Sequence, residues 1–190
     1  FQHALCCSIA LRDQLRNANT PLQQAPVIYE GIDLGPYLAQ EPFQRWHGIT
    51  NGSGNGQVQA NGNGVHTYPT PAQPPYRLLF VGTLAEHKGV HTTVEALALL
   101  RPAERAPFHL TILGSGHPHY EERLRNLVKT HQLAAWVAFH KPIPRSELPA
   151  FLGHYQVLLL PSIWEEPLAR IMQEGLAAGM VVIGAATGGT

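Results

Sequence analysis

Leu78-Leu79-Phe80-Val81-Gly82, Leu110-Thr111-Ile112-Leu113-Gly114 and Val157-Leu158-Leu159-Leu160-Pro161 are three short apolar runs, each stopped by a glycine or a proline, and they decide the fold. A run of this kind without polar alternation is what a strand buried on both faces requires, since both of its sides must leave water. After the first run, Val90, Val94, Leu97 and Ala98 recur at helical spacing, and after the second Tyr120, Leu124, Leu127 and Val128 do the same. Trp136 to Phe139 reads as a further strand and Met180 to Ile183 as the last. Ser146, with Glu147 behind it, opens a short helix to about Gly153, and Leu168, Ile171, Met172, Gly175 and Leu176 mark another. Five strands with intervening helices predict an α/β architecture, a Rossmann-like doubly wound parallel sheet covered on both faces.

Upstream the text changes. Residues 41–75 hold six Gly, five Pro and four Asn, and nothing charged lies between Trp46 and Tyr76. Such a stretch buries too little apolar surface to offset an ordering cost of about 1–2 kcal/mol per residue, and reads as a flexible linker or insertion, with a lid over a site as the other reading. Residues 1–40 read as a helix through Ile9 and Leu11, ended by Asn17, Asn19 and Pro21, then a brief strand at Val27-Ile28-Tyr29. That is too little for a core of its own. The expected units are therefore 1–40, 41–75 and 76–190.

Composition excludes several classes of function. Lys plus Arg is 13 and Asp plus Glu is 13, a formal charge of zero, so the phosphate attraction that nucleic-acid binders rely on is missing, as is a polybasic membrane anchor. No run approaches the ~18 apolar residues of a spanning helix. The two cysteines, Cys6 and Cys7, are adjacent, a poor geometry for a mutual disulfide, which points to a reducing, cytoplasmic compartment. Ala4 to Leu11 has the length of a secretory leader but no basic lead-in, so it reads as interior sequence, and the chain as a fragment.

In open parallel sheets ligands bind at the carboxyl ends of the strands. Four such ends are readable here: Gly82-Thr83-Leu84, Gly114-Ser115-Gly116, His140-Lys141-Pro142 and Pro161 to Glu166. The dinucleotide fingerprint fails at Gly114-Ser115-Gly116, because Pro118 intrudes and the third glycine is absent. That leaves a tight turn or a close backbone approach to a ligand. Lys88-Gly89 opens the first helix, where free N–H groups and the dipole favour an anion; a plain solvated lysine is the other reading. His87 and His91 have metal-ligand spacing but no evident third partner, so no metal is expected.

Pro161-Ser162-Ile163-Trp164-Glu165-Glu166-Pro167-Leu168 leads toward Glu174. With Pro167 in the first turn of a helix, Glu166 and Glu174 differ by ~80° in azimuth and ~12 Å in height. Carboxylates so far apart share neither a proton nor a metal. They suit two separated polyol groups of one extended ligand with an anion between them, the layout of a nucleotide sugar, or else they are two surface glutamates. Glu174 lies off the Leu168–Ile171–Met172–Leu176 stripe and is expected to face a cleft.

Phe80 to Gly89, Leu110 to Gly116, Pro161 to Leu168, Glu174 to Gly179 and Thr187-Gly188-Gly189 together resemble the donor-binding C-terminal domain of the retaining group 1 glycosyltransferases, glycosyltransferase family 4, which have the two-domain GT-B fold. The resemblance runs from Tyr76 to Thr190, while residues 1–38 are similar to the end of the family's acceptor domain and its crossover. It implies a retaining transfer of a sugar from a nucleotide-sugar donor to a glycan, lipid or small-molecule acceptor. Glu166 would contact the transferred sugar, Glu174 the ribose hydroxyls and Lys88 the diphosphate, with Glu166 and Lys88 as the catalytic pair. Gly82, Thr83, Gly114, Pro167 and Leu168 would line the donor site, and the main chain of Lys141 to Ile143 would meet the base. No metal or other cofactor is implied, because Lys and Arg replace the cation. The acceptor-side groups would lie outside this sequence, leaving the fragment inactive alone, and peripheral membrane association would belong to the absent domain. Thr83 stands where the family usually has Arg, and a hydroxyl supplies no charge. A non-catalytic nucleotide-sugar-binding module with a degenerate diphosphate site is the alternative.

Overall fold

The computed structural model describes Asp13 and residues 32–38, 76–105 and 107–189. The strand expected at Val27–Tyr29 and the Gly/Asn/Pro-rich 41–75 stretch lie outside the described residues, as does the first helix apart from Asp13, which is helical. Five strands form one parallel sheet: β1 (Tyr76–Val81), β2 (Phe108–Leu113), β3 (Val137–His140), β4 (Val157–Leu160) and β5 (Val181–Gly184), in the order β3-β2-β1-β4-β5. The helices are α1 (Gly35–Leu38), α2 (Val90–Leu99), α3 (Pro102–Arg105), α4 (Pro118–Thr130), α5 (Leu148–Leu152) and α6 (Arg170–Ala177).

Alternation along the strands divides the apolar side chains between two cores. Phe80, Leu110 and Ile112 point to one face, where Val90, Val94 and Leu97 of α2 and Tyr120, Leu124 and Val128 of α4 cover them. Leu79, Leu113, Leu158 and Leu160 point to the other, against Leu148 and Leu152 of α5, Ala169, Met180 and Tyr37 of α1. The chain builds outward from β1 through β2 to β3, then crosses to β4 on the other side of β1. The switch point of the sheet is thus the gap between the carboxyl ends of β1 and β4, where a crevice forms because successive loops leave in opposite directions.

Three expectations are corrected. The last helix does not include Pro167: it begins at Arg170, with Ala169 as its N-cap, so Glu166, Pro167 and Leu168 precede it. The Glu166 carbonyl, which a helix begun there would give to the Arg170 amide, instead accepts the Gly189 N–H at 2.5 Å from the loop after β5. The apolar stripe of α6 is buried only in part: Ile171 and Met172 pack on the core but Leu176 is 55% exposed, while Glu174, expected to face a cleft, is 3% exposed. Finally, among the described residues one part of the sheet stays open. Beside α2, the β4–β5 half opens into an apolar groove of about 580 Å³, and Ile183 of β5 is 58% exposed.

Candidate functional site

The loop after β1 makes a 3₁₀ turn, Glu86–Lys88, and ends at Gly89, whose φ of 68° is left-handed. A Cβ on Gly89 would lie 1.8 Å from the Pro161 carbonyl oxygen, so only glycine lets this loop lie against the one after β4. The contact is fixed by a 2.9 Å bond from the Ile163 amide to the His87 carbonyl. This seam at the switch point places Lys88 against Glu166.

Lys88 Nζ donates to both carboxylate oxygens of Glu166 at 2.7 Å. Ser162 Oγ and Trp164 Nε1 donate to Glu166 Oε2 at 3.1 and 3.0 Å. The Trp164 ring lies 5.7 Å from Lys88 Nζ and meets His87 edge-on. Burial pushes the Glu166 carboxyl upward, but the bonds and charge from Lys88, with those from Trp164 and Ser162, outweigh it and hold the group below the ordinary carboxylate range. From the loop after β5, Gly188 packs on the Glu166 backbone, where a Cβ would lie 2.2 Å from its carbonyl oxygen.

A cavity of about 300 Å³ lies at the carboxyl ends of β1, β2 and β3. Gly82, Thr83, Gly114, Ile143 and Arg145 are among its walls. The close approach expected at Gly114-Ser115-Gly116 is made to the protein's own backbone: Cβ atoms on Gly114 and Gly116 would lie 1.9 and 1.8 Å from the carbonyl oxygens of Gly82 and Leu84. The Gly82 amide donates to Leu113 O at 3.1 Å, so it is committed within the fold. Lys141 is exposed at the end of β3, outside the walls of the cavity. Behind the cavity, buried Glu174 accepts from Arg145 Nη2. His91 and His87 do not converge: His91 Nδ1 is 2.8 Å from the Tyr120 hydroxyl. Among the described residues no group of three or more His, Cys, Asp or Glu is placed to hold a metal, and no helix is long and apolar enough to cross a membrane.

The pattern of the family described as "Glycosyl transferases group 1" matches residues 69–190, the greater part of the chain. The chain belongs to this family. A glycogen synthase of Mycobacterium tuberculosis is 30% identical over 188 residues, covering 97% of this chain and 37% of that protein. A putative colanic acid biosynthesis glycosyltransferase, WcaL of Salmonella typhimurium, is 33% identical over 114 residues, 57% of this chain and 27% of its own length. Among solved structures, Anabaena HepE in complex with UDP and glucose superposes with a TM-score of 0.73 at 19% identity, covering 98% of this chain and 45% of that one. WaaG, a glycosyltransferase involved in lipopolysaccharide biosynthesis, gives 0.69 at 21% identity, covering 97% and 44%. The chain thus spans less than half the length of these relatives, and the group 1 fold is shared across its described part.

Within this group 1 domain the expected residues fall into two sets at the carboxyl ends of the strands. Lys88 and Glu166 meet directly, with Pro167 and Leu168 following in the same loop, while Gly82, Thr83, Gly114 and Ile143 line the cavity. Glu174 reaches that region through Arg145. Sequence reasoning missed Arg145, Ser162 and Trp164. For Arg145 the usable signal was its place three residues beyond Pro142, at the end of a strand whose loop was already expected to meet a ligand.

Proposed function

We propose that this chain is the donor-binding half of a retaining glycosyltransferase, cytoplasmic and independent of metal, which moves a sugar from a nucleotide sugar to a glycan, lipid or small-molecule acceptor. The observation that carries the reading is the bidentate Lys88–Glu166 pair at the switch point of the sheet, whose strands β1, β2 and β3 also end at a cavity of about 300 Å³. A diphosphate draws the ammonium of Lys88, and Glu166 is then released to take hydroxyls of the transferred sugar. Backbone amides near Leu168 and the start of α6 add donors for the diphosphate. Glu174 serves the ribose, the main chain of Lys141 to Ile143 serves the base, and Gly82, Thr83 and Gly114 form the floor.

In this reading the bond from the anomeric carbon to the diphosphate breaks, with its electron pair leaving on the diphosphate. The acceptor oxygen bonds the same face of that carbon, and its proton passes to a diphosphate oxygen. The acceptor and any peripheral contact with a membrane belong to the part of the protein that precedes this domain. Calorimetric titration of the full-length protein with UDP, GDP and ADP tests the site. One of them is expected to bind, with Lys88→Met and Glu174→Ala each weakening it by about tenfold or more. Absence of binding by all three, or unchanged affinity in both variants, overturns the assignment.

A further inference from the structure

Arg145 is the charged side chain in the wall of the 300 Å³ cavity, and the reading above gives it no task. It follows β3 in a 3₁₀ turn, Arg145–Glu147, and its Nη2 donates to Oε1 of Glu174. The two side chains differ sharply in exposure: 64% for Arg145 and 4% for Glu174. The carboxylate therefore sits inside the fold, while most of the Arg145 side chain is exposed and the residue forms part of the cavity wall. Tyr37 of α1 lies in the electrostatic field of the same pair. Its own burial and then the charge of Glu174 raise its hydroxyl pKa, while Arg145 and Arg170 oppose that rise.

A carboxylate only accepts hydrogen bonds, and a guanidinium only donates them, through five N–H groups in a planar fork. A vicinal diol does both at once, since each hydroxyl has a hydrogen to give and lone pairs to receive. A lone carboxylate satisfies only the donating half of that capacity; an arginine beside it supplies donors for the hydroxyl oxygens as well. We propose that Arg145 is a specificity-determining residue of the donor site. With Glu174 it forms a clamp of two signs for the ribose diol of a nucleoside diphosphate, Glu174 accepting from the hydroxyls and Arg145 donating to their oxygens. This rests on the nucleotide-sugar reading of the site and adds a second partner for the diol.

The test measures the affinity of the full-length protein for the preferred nucleoside diphosphate and for its 2′-deoxy counterpart, by calorimetry, in the parent, Arg145→Met and Arg145→Lys. The parent is expected to discriminate against the deoxy ligand by about tenfold, the loss of charge-assisted bonds to one hydroxyl. In Arg145→Met the ratio falls to about threefold or less, because the ribose form alone is weakened. Arg145→Lys keeps a cation beside Glu174 and so guards the fold, but it lacks the fork, and its ratio falls between the two. Equal weakening of both ligands, or an unchanged ratio in the folded lysine variant, means Arg145 only neutralises Glu174 and overturns the inference while the nucleotide reading stands. A parent that binds neither ligand overturns both.

Discussion

Glu166 is 7% exposed and ionised, a combination that holds only while Lys88, Ser162 and Trp164 all point at it. Because its folded pKa is lowered, it adds stability at every pH above the unfolded carboxylate value of about 4.3, and that stability is lost as pH falls through the folded value. Glu166→Gln is expected to lower the neutral melting temperature and to flatten the acid limb below about pH 4.5. A melting profile with the parent's acid slope would refute the pairing. Lys88→Met leaves the carboxylate without its cation; since the Lys88 side chain is 24% exposed, water relieves part of the penalty, and the loss should be about 2–3 kcal/mol by denaturant titration. Trp164→Phe removes one donor and should cost about 1 kcal/mol. A test of Thr83 belongs at this scale too. It faces the cavity as a neutral hydroxyl, so Thr83→Arg should tighten diphosphate binding severalfold in a titration, and no change would mean the cavity does not receive that group.

At the scale of elements, two loops are held together by what glycine lacks. Gly89→Ala adds about 1–2 kcal/mol of left-handed strain and drives a methyl into the Pro161 carbonyl, so the β1 and β4 loops must part. The variant is expected to lose stability and nucleotide affinity together, measured by chemical denaturation and calorimetry; loss of stability with affinity intact would show the seam is not what sets Lys88. The strands were legible in the sequence because both faces of each central strand are apolar, as at Ile112 on one face and Leu113 on the other. The start of α6 was not. Pro167 and the apolar spacing from Leu168 fit a helix, but the competing partner for the Glu166 carbonyl, the Gly189 amide, lies twenty-three residues away and leaves no local trace. The burial of Glu174 was hidden for a related reason. Gly175 lets α6 lie so close to β4 that an added Cβ would come within 2.6 Å of Leu158, which turns the neighbouring carboxylate inward. The lysine–glutamate pair, by contrast, was partly legible, since both residues sit at strand ends that any parallel sheet brings together.

For the molecule as a whole, periodicity reports that a side chain avoids water but not what covers it. Val157 to Leu160 and Met180 to Ile183 read as strands of a sheet covered on both faces, yet among the described residues one face of β5, at Val181 and Ile183, stays exposed. On the α2 side Leu78, Leu97, Leu159 and Ile183 line the 580 Å³ groove. At the same margin β5 pairs with β4 alone among the described residues, so an open strand edge and an apolar groove coincide. Unpaired edges and contiguous apolar surface are the two features that promote association between copies. The 190-residue chain in isolation is therefore expected to self-associate as concentration rises, and to bind an apolar dye. Ile183→Lys puts a charge on the groove wall at a position already 58% exposed, so it costs little burial. Sedimentation should show the variant shifted toward monomer, with dye fluorescence reduced and the melting temperature nearly unchanged. Were both chains equally monodisperse and equally dark to the dye, the groove would have to be closed in solution, and the uncovered β4–β5 face would be wrong.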